Sequence, residues 1–350
     1  AKGFWARRGS GHEGGLSAAR TRSPLPTMAV PIDGQPFSFA RSADTMRAVS
    51  ARLPSPLRRT LRLSTVEGAL CAAMVGLGEI WFVPDAVRLG AVPASVVLLA
   101  VLPVFVGSMG PLFMLALLRR ARARRPLVVG AALVQVVALA ALSALDGLRL
   151  TTPAALLALS CVYQVSGQAA GTAWSSWMGE VVPTSVRGHY FARRTRFIHG
   201  TTFLGLLLGG LLLHRMELGD GGAGFALVFA LGALFRLVSA AMLMRSFEPP
   251  FAGLGDNDRL LPFLRSTEGA LARRLLPLAA GFLLAVSIAS PLFAPYMLRV
   301  IELDYLQYMA SSASVVVVKT ALLPRWGQAV DRFGAKAVYG LAALLIALIP

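Results

Sequence analysis

Residues 89–118 read LGAVPASVVLLAVLPVFVGSMGPLFMLALL, 30 positions without a charge, and residues 119–125 follow as RRARARR. A bilayer core about 30 Å thick is crossed by about 20 apolar helical residues, so this stretch is long enough to span it. The arginine run behind it marks the face on which it stops, because loops rich in Lys and Arg stay on the cytoplasmic side. Residues 150–179 and 275–298 are likewise uncharged and long enough to span. Gly and Pro punctuate all three stretches, as membrane helices tolerate better than soluble ones do.

Across all 350 residues, 56% are hydrophobic, only 15% are charged, and the mean hydropathy is +0.65. That is too apolar for a chain whose surface faces water. Spans are expected near residues 64–84, 91–118, 126–145, 153–179, 197–213, 223–244, 275–298, 305–324 and from 337 onward. Connections then alternate between basic and poor in basic residues. All but six of the 34 Lys and Arg fall in the leader or in the connections around Arg119–Arg125, Arg187, Arg259 and Arg332. Arg88, Arg149, Arg215 and Arg299 lie in the other connections, and Arg236 and Lys319 inside spans. The net charge of +17 therefore encodes membrane topology, with the amino terminus cytoplasmic, and not nucleic-acid binding.

The chain divides into four expected parts: a basic, polar leader over 1–63, six spans over 64–247, a hydrophilic central loop over 248–274, and a second, incomplete set of spans over 275–350. Met28 and Met46 are candidate starts within the leader, which holds no signal peptide. After Lys336 only 14 residues remain, a rise of about 21 Å, so the ninth span is expected to continue past Pro350. Cys71 and Cys161 both fall in spans, which argues against a disulfide scaffold, and no Cys/His cluster has metal-ligand spacing.

Two motifs carry more. Gly327-x-x-x-Asp331-Arg332-x-Gly334-x-Lys336 joins spans eight and nine. Gly327 allows close packing of a helix end, Asp331 can accept charge-assisted bonds, and Gly334 allows a tight turn. Across the connection between spans four and five runs Trp174-Ser-Ser-Trp177-Met-Gly-Glu180, then Pro183, Arg187-Gly188-His-Tyr190-Phe191 and Arg193-Arg194. Pro183 is expected to end one helix, Gly188 to turn the chain, and Glu180 to pair with Arg187 or Arg193. Gating and headgroup anchoring by Trp and Arg are both open for this loop.

The first motif resembles the cytoplasmic loop motif of the major facilitator superfamily, and the second is similar to a loop of a bacterial subgroup of that family. Glu79-Ile-Trp-Phe-Val-Pro84 and Ser290-Pro291-Leu-Phe293-Ala-Pro295-Tyr296 add to the likeness. The resemblance implies an all-α polytopic fold of two six-helix bundles, about nine of the expected twelve spans being present. It implies secondary transport by alternating access, with the Gly327–Lys336 cluster latching the cytoplasmic face. In the first bundle the corresponding loop departs from the family pattern. It reads Leu118-Arg119-Arg120-Ala-Arg122-Ala-Arg124-Arg125 with no acid, so these arginines are expected mainly to set topology.

Ionisable and polar groups inside spans are the site candidates, because hydrocarbon tolerates them mainly where they have a partner or a function. Glu67 is expected to pair at the interface with Arg62 or another loop arginine. Glu79 is a candidate substrate or proton site, or an interfacial pairing residue. Gln164 and Gln168, one helical turn apart, with Tyr163, could bond a solute or neighbouring helices. Arg236 is expected to have a partner acid such as Glu79, and Lys319 to snorkel toward the interface. Tyr296 belongs to a Pro-broken span seven expected to line a cavity.

The expected partners are a small-molecule solute, the bilayer and a coupling proton or ion, with no cofactor, no metal and no nucleic acid. The expected setting is a monomer in a bacterial inner membrane. A transporter-like receptor or scaffold without flux is the rival reading. Enzymatic chemistry is disfavoured, since His12, His189, His199 and His214 are expected in the leader or in or near loops. No nucleotide phosphate loop is present in the sequence.

Overall fold

A computed structural model describes residues 55–183, 187–216, 221–251, 253, 260–266, 269–289 and 293–347. Nearly all of the expected leader lies outside these residues. Every regular element among them is helical. In chain order these are α1 (Ser55–Leu77), α2 (Phe82–Arg88), α3 (Pro93–Gly107), α4 (Gly110–Leu118), α5 (Arg125–Gly147), α6 (Pro153–Val181), α7 (Arg187–Met216) and α8 (Gly221–Met244). After these come α9 (Leu260–Arg265), α10 (Ala270–Ala289), α11 (Phe293–Arg299), α12 (Tyr305–Phe333) and α13 (Ala335–Ala347).

Five segments are long and apolar enough to cross a bilayer: Ser55–Arg88, Pro93–Leu118, Arg125–Gly147, Tyr190–Met216 and Gly222–Met244. The chain is thus an all-α protein of membrane character. The expected fourth span, α6, forms a helix of 29 residues. It falls short in apolarity because Gln164 and Gln168 interrupt its centre.

The first expected span begins earlier and is less regular than its sequence suggests. It starts at Ser55, and beyond Leu77 a 3-10 turn over Glu79–Trp81 separates α1 from α2. Pro84 has no N–H to return to the preceding turn, which weakens a regular helix there. The Trp81 indole N–H donates instead to the Gly76 carbonyl at 3.0 Å, taking an acceptor that a continuous helix would use. The second span is also in two pieces, α3 and α4, with Pro111 in the first turn of α4. Of span seven, the described residues form α10 and α11, and residues 290–292 lie outside those described.

Helices α1, α5, α6, α7 and α8 pack around a common centre, and α3 and α4 cover α6. Helix α1 meets α7 through glycines: a Cβ on Gly76 would lie 2.4 Å from the Thr202 carbonyl, and one on Gly205 would lie 2.8 Å from the Ala73 carbonyl. Such close approach is what small residues supply between membrane helices. One apolar core gathers Trp81, Phe82, Tyr163, Phe225 and Phe229 toward the end that carries Arg88; a second gathers Met114, Val128, Trp177 and Tyr190 toward the basic end that carries Arg119–Arg125.

From the later part of the chain, α12 packs on α7 and α11 packs on α2 and α3. Trp81 meets Tyr305 and Tyr308 edge-on with ring centroids 6.4 and 6.0 Å apart. The Arg299 guanidinium donates to the Ala91 carbonyl. The contacts of Trp81 and Arg299 lie at the non-basic end.

Candidate functional site

A cavity of about 460 Å³ opens among α1, α5, α6, α7 and α8. Its apolar wall includes Met74, Val75, Val128 and Ile198, and its polar groups come from these five helices and the 3-10 turn after α1. The 3-10 turn after α1 presents Glu79. Tyr163 donates its hydroxyl to Glu79 Oε2 at 3.1 Å, and Gln164 donates Nε2 to Oε1 at 2.9 Å. Glu79 forms no ion pair among the described residues. Gln168 lines the same cavity and is more exposed.

From α5, Gln135 enters the cavity, buried, with Nε2 donating to the Tyr163 carbonyl at 3.3 Å. Its Oε1 has no partner. An unmet buried acceptor costs free energy unless a ligand or water completes it.

Toward the basic end the cavity reaches Glu67, Arg194 and Arg236. Arg194 Nη2 lies 3.1 Å from Glu67 Oε2, and Arg236 Nη1 lies 3.7 Å from Oε1. Ser239 joins the network, accepting from Arg236 at 3.0 Å and donating to Glu67 at 3.2 Å. The Arg194 guanidinium stacks on Trp174, 4.0 Å above its ring, and donates to the Ser64 carbonyl.

These contacts correct two expectations. The partner of Arg236 is Glu67, not Glu79. Glu67 is buried instead of interfacial, because α1 begins at Ser55 and so places it three turns inside the helix. Arg62 is five residues back, roughly 140° around the helix, on an exposed face. His199 sits in α7 and lines the cavity.

The loop between α6 and α7 also differs from expectation. Glu180 pairs with Arg124, not with Arg187 or Arg193. Arg187 instead folds back on the last turn of α6, donating to the Gly179 and Val182 carbonyls at 2.6 and 3.2 Å, where a cation meets unpaired helix carbonyls. Arg193 lies over Phe197. Gly188 lies within α7 and turns nothing; residues 184–186 lie outside the described residues. Trp177 is fully buried, which excludes it as a headgroup anchor, and its indole donates to the Phe247 carbonyl at 3.1 Å.

Arg124 does more than set topology. It is 2% exposed, stacks 4.1 Å from the Phe251 ring and donates its backbone N–H to Glu248. Arg125 donates to the Ser246 carbonyl, and the Phe247 N–H donates to Thr60. The segment 246–251 is thereby strapped across the basic end. The acids missing from the Arg119–Arg125 run arrive from α6 and from this strap, which no local motif could reveal.

At the other end Arg88 Nη2 stands 2.6 Å from both Asp85 Oδ1 and Asp146 Oδ1, and Thr151 donates to the same Asp146 oxygen at 2.7 Å. Both carboxylates are buried. This cluster, like Gln135, was not anticipated. The only sequence signal was that two acids stand close to the ends of otherwise apolar segments.

The structure does not bring every candidate to the cavity. Tyr296, on α11, is exposed and is not among the lining residues. Of the Gly327–Lys336 motif, Gly327, Asp331 and Arg332 lie in α12 and Lys336 lies in α13. Gly334 stands between them at φ +81, a backbone conformation glycine adopts without strain. The side chains of Asp331, Arg332 and Lys336 lie outside the described residues.

Among the described residues no group of three or more His, Cys, Asp or Glu is placed to hold a metal ion. No protein-family model matches the chain, and no curated protein matches it.

Proposed function

We propose that this protein is a secondary transporter of the major facilitator type that carries a small solute by alternating access. The observation that carries the reading is the cavity: a space of about 460 Å³ inside a bundle of apolar helices, with Glu79, Tyr163, Gln164 and Gln135 facing it at one level and Arg194 and Arg236 at another. Charged and amide groups at membrane depth are retained mainly where they meet a substrate, an ion or each other.

The order of elements supports the same reading. Six spans, a hydrophilic central segment and a second set of spans make a two-bundle plan, with nine spans in this stretch of an expected twelve. In this plan the basic end is cytoplasmic, in a bacterial inner membrane. The contacts of Trp81 with Tyr305 and Tyr308, and of Arg299 with the Ala91 carbonyl, join the two parts at the opposite end. They serve as the closed outer gate of one end state. The Asp331/Arg332 motif serves as its counterpart on the cytoplasmic side.

The test is flux. Proteoliposomes containing the full chain, offered pools of labelled small solutes, are expected to show saturable, protein-dependent uptake of at least one. Solutes that bind but never cross would instead assign the protein to the receptor or scaffold class.

A further inference from the structure

We propose that the cavity selects a protonated organic amine with an apolar body, and that Glu79 is its charge partner. The proposal rests on the cavity being a solute site and adds the class of solute.

Three observations converge. Glu79 is a cavity carboxylate whose two oxygens, among the described residues, accept only from neutral donors, Tyr163 and Gln164, while Arg194 and Arg236 both turn to Glu67. These neutral hydrogen bonds leave the carboxylate without a cationic partner among the described residues. The second observation is Gln135 Oε1, a buried acceptor without a partner, held beside Tyr163 by the bond from Gln135 Nε2 to the Tyr163 carbonyl. A ligand that completes this wall must therefore donate hydrogen bonds and carry positive charge, and a protonated amine does both. The third is the remaining wall. Met74, Val75, Ala72, Ala170 and the ring of Tyr163 offer apolar and aromatic surface to a hydrocarbon body.

Two alternatives fit less well. A bare metal ion takes six or more oxygen ligands in a tight shell, whereas the cavity volume of about 460 Å³ calls for a body of many atoms. An anion would be drawn to Arg194 and Arg236. Those guanidinium groups share Glu67, however, and are held by Ser64, Trp174 and Ser239. Both pair with Glu67, and neither pairs with Glu79 among the described residues. His199 and Cys71 also face the cavity, and neither supplies a fixed negative charge.

The experiment compares three probes of one skeleton on the purified full chain in detergent: phenylbutylamine, phenylbutanol and phenylbutyrate, cationic, neutral and anionic at neutral pH. Saturable binding of the amine, at least tenfold tighter than of the alcohol or the acid, is expected. Glu79→Gln should weaken amine binding at least tenfold and leave the weak alcohol binding as it is, while Glu79→Asp should retain part of the preference for the amine. Gln135→Met should weaken the amine severalfold. Equal binding of all three probes, preference for the acid, or amine binding untouched by Glu79→Gln would overturn the proposal. If a Glu79 variant does not fold, the ranking of the probes on the unaltered chain decides alone. Amine preference without flux in proteoliposomes would sink the transport reading and leave this one standing; flux of anions without amine preference would do the reverse.

Discussion

Arg236 and Glu67 face each other between α8 and α1, with Nη1 3.7 Å from Oε1, and Arg194 from α7 takes the other oxygen at 3.1 Å. One carboxylate thus ties three helices together at the basic end of the cavity. Breaking a buried pair by removing one partner leaves an uncompensated charge and costs about 3–5 kcal/mol. Glu67→Gln, which strands two guanidinium groups, is expected to lower the thermal unfolding midpoint in detergent by several degrees. The double change Glu67→Gln with Arg236→Gln should recover part of that loss. A single variant as stable as the unaltered protein would contradict the tie.

The α1–α7 interface makes a second prediction. A Cβ on Gly76 would meet the backbone of Thr202 and Leu206, which cannot move aside as a side chain could. Gly76→Ala is expected to destabilise by about 1–3 kcal/mol through overpacking. At Gly130 nothing lies within 4 Å of the added carbon. There the same substitution in α5 should be neutral, or stabilising by up to about 1 kcal/mol, since alanine favours the helix. Parallel unfolding measurements on the two variants check the contrast.

Arg124 pairs with Glu180 of α6 and holds the strap at 246–251 through Glu248 and the Phe251 ring. Losing the cation–π contact with Phe251, about 1 kcal/mol, should raise proteolytic cleavage in the strap about fivefold. Limited proteolysis of Arg124→Gln should show this, whereas Arg120→Gln, at an exposed position, should cleave at the original rate.

Asp331→Asn tests the motif between α12 and α13. If this acid stabilises one end state, its neutral counterpart is expected to lower flux severalfold while membrane insertion and expression stay normal. Unchanged flux at normal expression would remove the gate role.

Helix positions were legible in the sequence because a bilayer imposes a length and an apolarity on each crossing, and most described helices overlap an expected span. Pairings were not legible. The acid that meets Arg124 comes from 56 residues along the chain, and the one that meets Arg236 is 169 residues earlier. Such partners are chosen by how helices rotate against one another, which no local spacing encodes. Glu79 could be singled out as a charge in a span. Its orientation depends on a 3-10 turn set by Trp81 and Gly76, and Gln135 looked like any polar residue in an apolar helix. Gly188 misled for the opposite reason: glycine permits a turn without requiring one.

The threading of the chain through a bilayer is tested most directly by labelling single cysteines at Arg120 and Leu148, both exposed at opposite ends of α5, in a background with Cys71 and Cys161 replaced by Ser. In right-side-out vesicles a membrane-impermeant maleimide is expected to label the cysteine at 148 and to reach the one at 120 only after the membrane is opened. Labelling of both from the same side would contradict the crossing of α5, and with it the whole topology.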